Sequence, residues 1–149
     1  MKLRIHIAAA AACLCLAFAA PALAQDAYPM NQGDYVELSG ITIDDGHTID
    51  YLNHVAGLWR RGQEYAKSQG WITSYEVMAN AFPRKGEPDI YLIVRTPRFV
   101  DAAEDRKRDQ AYRAYMQRTV AQLESESGDR AKYRHLSGSM LLRELRFKN

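Results

Sequence analysis

The chain has 149 residues, 20 basic against 18 acidic, a formal net charge of +2 and 47% hydrophobic content. That length fits one domain, and the near-balance of charge lacks the basic footprint that nucleic-acid binding requires. The few basic residues in excess sit at the start, so the apparent pI of 8.5 reflects the leader rather than the domain.

The opening stretch, MKLRIHIAAAAACLCLAFAAPALAQ, reads as a secretory signal. Lys2 and Arg4 precede an apolar run from Ile5 to about Ala20, and Ala22-Leu23-Ala24 is an A-x-A cleavage site. The apolar run is Ala-rich and shorter than the ~20 residues of a spanning helix. Cleavage after Ala24 and export to the periplasm are expected, with no membrane association afterwards. The leader takes Lys2 and Arg4 with it, leaving 18 bases against 18 acids in residues 25–149. It also takes Cys13 and Cys15, the two cysteines, so disulfides and thiolate chemistry are excluded from the expected product. Such a domain must be held by its own core or by one shared between subunits.

After a polar lead-in, DYVELSGITI (34–43) reads as a first strand and DDGHT (44–48) as a turn whose Thr48, or Asp50 beyond it, can cap a helix. Apolar residues at 49, 52, 55, 56, 59 and 66 form a helical stripe, closed by Gly70. WITSYEVMANAF (71–82) and the β-branched IYLIVRT (90–96) are two strands, joined as a hairpin by PRKGEPD. A second helical region follows Pro97, and its Tyr112, Tyr115 and Met116 read as packing residues. EDRKRD (104–109) reads as a solvated face, SESGD (125–129) as a break or bend, and SGSMLLRELRF (137–147) as the last strand.

This β-α-β-β-α-β order predicts an α+β fold: a ferredoxin-like four-stranded antiparallel sheet, strand order 4-1-3-2, with two helices on one face. Over residues 34–147 the chain resembles the dimeric α+β barrel superfamily, through its leader, topology, long second helix and last strand MLLRELRF. That group contains antibiotic-biosynthesis and haem-degrading monooxygenases, polyketide cyclases and stress-responsive barrel proteins. The resemblance implies a homodimer in which two sheets face each other across a cavity.

Strand alternation sorts side chains into two faces. An apolar set, expected beneath the helices, holds Val36, Leu38, Tyr75, Val77, Ile90, Leu92, Val94, Met140 and Leu142. A mixed set holds Tyr35, Glu37, Ser39, Ile41, Ser74, Glu76, Met78, Tyr91, Ile93, Arg95, Leu141, Arg143 and Leu145. Across a 4-1-3-2 sheet its charges run Arg143, Glu37, Arg95, Glu76 with alternating sign, either a ladder that sets dimer register or the floor of a ligand cavity.

The expected site therefore comprises Tyr35, Glu76, Tyr91, Arg95 and Arg143 as binding residues for a small organic ligand. In a catalytic version Glu37 or His54 is the proton acceptor and an arginine steadies an oxyanion. That version is a cofactor-free monooxygenase or cyclase acting on an aromatic or polyketide-like substrate; a third alternative is a non-catalytic structural partner protein. His47, His54 and His135 lack metal-ligand spacing, and no metal or other cofactor is expected. Asn53, Trp59, Trp71 and His54 do not occupy the positions that haem-degrading relatives use, and the tryptophans read as packing residues. The acidic turn DDGHT does not suit an acylphosphatase anion loop, and hydrolase and nucleotide-loop motifs are missing.

Overall fold

A computed structural model describes residues 28–148; the expected leader and its cleavage point lie outside them. Strand β1 spans Met30–Ile43. Helix α1 (Thr48–His54) continues through a π-helical turn (Val55–Trp59) into α2 (Arg60–Ser68), with helical dihedrals at both junctions. Strands β2 (Ser74–Ala79) and β3 (Ile90–Thr96) form the hairpin. Helices α3 (Ala102–Met116) and α4 (Val120–Arg130) then lead to β4 (Arg134–Phe147). The sheet is antiparallel, in the order β2-β3-β1-β4. The architecture is α+β and compatible with a ferredoxin-like fold.

Local chemistry accounts for the helix ends. After α2, Gly70 takes φ 68°, and the Gly70 and Trp71 N–H groups donate to Lys67 and Ala66 carbonyls at 3.0 Å each. This paired closure needs a left-handed residue and turns Trp71 back under the helix. Asp101 caps α3 by accepting from the Ala103 and Glu104 N–H groups. Neither Thr48 nor Asp50 caps α1: the N-cap is His47, whose ring bonds Asp50 at 2.9 Å. The second helical region breaks earlier than its composition suggests. Gln117 adopts φ 54°, and Thr119 and Gln122 form a reciprocal capping box that starts α4. SESGD is therefore helical, not a break, because the cap upstream fixes the register and Gly128 sits exposed on the helix.

Register fixes the two sheet faces, since directly paired residues point the same way. Tyr75 pairs with Val94, Val94 with Glu37, and Glu37 with Leu141. Tyr75 meets Trp59 edge-on at 5.5 Å, which marks this as the helix side. The core on that side is Ile41, Tyr51, Val55 and Ile90, with Ile43, Trp59, Leu92 and Tyr133 packed around it. The expected sorting thus holds for β2 and β3 and is inverted for β1 and β4. Val36, Leu38, Met140 and Leu142 share the open side with Ile93, Arg95 and Glu76.

The inversion has a physical cause. Helices cover only the far end of β1, where Ile41 and Ile43 point at them; Glu37 is exposed although it is on the same side. The pairing of β1 with β4 also slips between Gln32 and Tyr35 and between Gly40 and Ile41. Each bulge resets the parity of one strand against its neighbour.

Candidate active or binding site

The residues expected to share one face divide into two groups. Tyr35, Glu37 and Arg143 are on the helix side, whereas Glu76, Tyr91 and Arg95 are on the open side. The alternating four-charge ladder is therefore not formed. Arg95 bonds Glu76 directly and reaches Ser74 Oγ at 3.3 Å, so that open-side pair satisfies itself. The Arg143 guanidinium carbon lies over the Tyr35 ring, 3.9 Å from its centroid, with Nε and Nη1 buried and unbonded. The Glu37 side chain makes no hydrogen bond or ion pair with the described residues. Tyr91 borders a shallow notch of about 230 Å³ over Gly40 and Gly138, a cavity that Glu37 and Arg95 do not line.

A larger cleft, about 360 Å³, opens where the end of α2, the loop after it, the end of β3, the β3–α3 loop and α3 converge. Its walls carry Trp71, Phe99 and Tyr112, with Arg98, Asp105 and Arg108 among its polar groups. Phe99 also packs against Tyr35 at a centroid distance of 4.3 Å, which links this cleft to the Tyr35–Arg143 stack. From α3 the lining residues are 105, 108, 109 and 112. That spacing is one helical stripe, so half of a segment that is mainly exposed, as expected, also borders this open cleft. The stripe was visible in sequence; nothing in the sequence placed Trp71 and Phe99 opposite it.

Arg108 is the best-fixed cation there. Its Nε donates to Glu104 at 2.9 Å, its guanidinium lies 5.5 Å from the Trp71 ring centroid, and its side chain is 16% exposed. Asp109 is tied to Arg113 at 2.6 Å. Burial pushes the Tyr112 hydroxyl above its ordinary range, and that hydroxyl makes no hydrogen bond with the described residues. It therefore stays a neutral donor or acceptor at physiological pH. Tyr112 also packs against Gly62 of α2, where any Cβ would overlap the ring and hydroxyl.

His54 lies apart, at the start of the π-helical turn, with its ring 5.9 Å from Tyr51. Desolvation first, then the Arg130 and Arg134 charges, lower its pKa from 6.5 to about 4. The ring is neutral at pH 7, but an imidazole this weakly basic is a poor proton acceptor. Nearby, Glu126 Oε2, Arg130 Nε and Arg134 Nε are buried without partners. Among the described residues no cluster of His, Cys, Asp or Glu is arranged to hold a metal, and no helix is long and apolar enough to cross a membrane.

No family model, curated protein or solved structure matches this chain.

The His54 shift makes a pH prediction. Its folded pKa is below its unfolded value, so the stabilisation is complete above about pH 6.5, falls as pH drops towards 4, and is flat below. Discounted for the part of the ring that water screens, the loss is about 2 kcal/mol. Thermal melts between pH 7.5 and 4 should show a steeper stability loss for the native chain than for His54→Gln. Parallel curves would contradict the assignment.

Proposed function

We propose that the chain is an exported, periplasmic binding protein whose ligand is a small, flat organic molecule held in the cleft of Trp71, Phe99 and Tyr112. The observation that carries this reading is three aromatic walls around about 360 Å³, beside a guanidinium fixed by Glu104 and Trp71. Ligand sites fall in the range of roughly 300–1,000 Å³ and combine apolar walls with a few placed polar groups. The ligand belongs to this pole of the molecule rather than to a space between two sheets. Catalysis is not part of the proposal, because His54 does not line this cleft and is weakly basic.

The two tryptophans make the test direct. Trp71 is in the cleft wall, and Trp59 is against Tyr75 elsewhere. Titration with p-cresol, followed by tryptophan emission, should give a saturable change that survives Trp59→Phe and vanishes in Trp71→Phe. A response that never saturates, or one carried by Trp59, overturns the reading.

A homodimer formed through the open sheet face accompanies this proposal. On that side Met78, Met140 and Leu142 are 50%, 53% and 49% exposed, flanking the Arg95–Glu76 pair. A face four strands wide, at about 4.8 Å per strand, can supply the roughly 800 Å² per partner of a standard interface. The charge pair is self-complementary about a two-fold axis. Sedimentation of residues 25–149 at micromolar concentration should give twice the protomer mass, and Leu142→Glu should halve it. A native chain sedimenting at protomer mass removes the dimer and leaves the cleft untouched.

A further inference from the structure

Resting on the cleft reading, we infer that the ligand is an aromatic zwitterion of the α-amino-acid type, its ring between Trp71, Phe99 and Tyr112, its carboxylate on Arg108 and its ammonium on Asp105.

The charges that line the cleft select a ligand of this kind. The four charged residues lining the cleft are Arg98, Arg108, Asp105 and Asp109, which sum to zero. A ligand of either net sign would leave one of these charges facing its like, whereas a zwitterion of no net charge does not. Asp109 is already engaged by Arg113. Arg108 is engaged only at Nε, by Glu104, and its Nη1 and Nη2 carry no hydrogen bond with the described residues. That leaves an end-on fork, the geometry a carboxylate accepts from two parallel N–H groups. The fork is held before any ligand arrives, since Glu104 bonds one edge and the guanidinium sits over Trp71. Arg98, on the loop and exposed, has no such support.

Asp105 supplies the opposite charge. Its side chain makes no hydrogen bond or ion pair with the described residues, although its backbone N–H is bonded to Asp101. It sits three residues before Arg108 on α3, so the two side chains are neighbours about 5–6 Å apart at Cβ. An ammonium and a carboxylate borne by a single carbon can meet such a pair together, with the ring turned towards the aromatic walls.

Trp71 emission tests this with four probes: L-phenylalanine, phenethylamine, 3-phenylpropionate and uncharged p-cresol. L-phenylalanine should bind at least about tenfold tighter than the two analogues that lack one charge. Asp105→Asn should remove its advantage over 3-phenylpropionate, and Arg108→Gln its advantage over phenethylamine. An unchanged far-ultraviolet circular dichroism spectrum in each variant shows that the fold is intact. Equal affinity for the three charged probes, with p-cresol still bound, overturns the inference and spares the cleft reading. Failure of all four probes to bind overturns both.

Discussion

The cleft depends on the missing side chain at Gly62. Because α2 has no Cβ there, the Tyr112 ring lies directly against its backbone, and α2 is the element that α3 contacts most. Tyr112 in turn sets the roll of α3, and with it the stripe of residues 105, 108 and 109 facing Trp71 and Phe99. Glycine within a helix costs roughly 1 kcal/mol relative to alanine. Here that cost is offset by close packing, since forcing extra volume into such a contact costs about 1–3 kcal/mol.

The sheet shows how far a sequence can be read and where it stops. β3 was legible to the residue, because IYLIVRT is the most β-branched stretch of the chain and Pro97 ends the run. The first helix was equally plain, from its apolar stripe to Gly70. What alternation withholds is which face of one strand joins which face of the next. In β1 the apolar residues change sides along its length: Val36 and Leu38 point away from the helices, Ile41 and Ile43 towards them. Fourteen residues of strand outrun the helical cover, and two bulges against β4 complete the confusion.

Glu37 is explained by that geometry. It lies on the helix side but beyond the helices, next to water, and its carboxylate needs no partner there. Arg143 and Tyr35 remain together, Arg95 and Glu76 remain together, and the sheet separates the two pairs. The candidate ligand residues come instead from two stretches far apart in sequence: Trp71 after α2, and Phe99 with the adjoining stripe on α3. Only the stripe has a local signal, and its mixed charge made it resemble an ordinary wet surface. Cavities assembled by tertiary contact leave little trace in any one stretch of chain.

The most direct trial of this account is p-cresol affinity in Gly62→Ala, followed by Trp71 emission, with far-ultraviolet circular dichroism as the check on folding. A single methyl there must displace Tyr112, so the variant should keep its helical signal and bind at least about tenfold more weakly, as expected when a packed aromatic wall moves. Undiminished affinity would mean that the Gly62–Tyr112 contact does not shape the site.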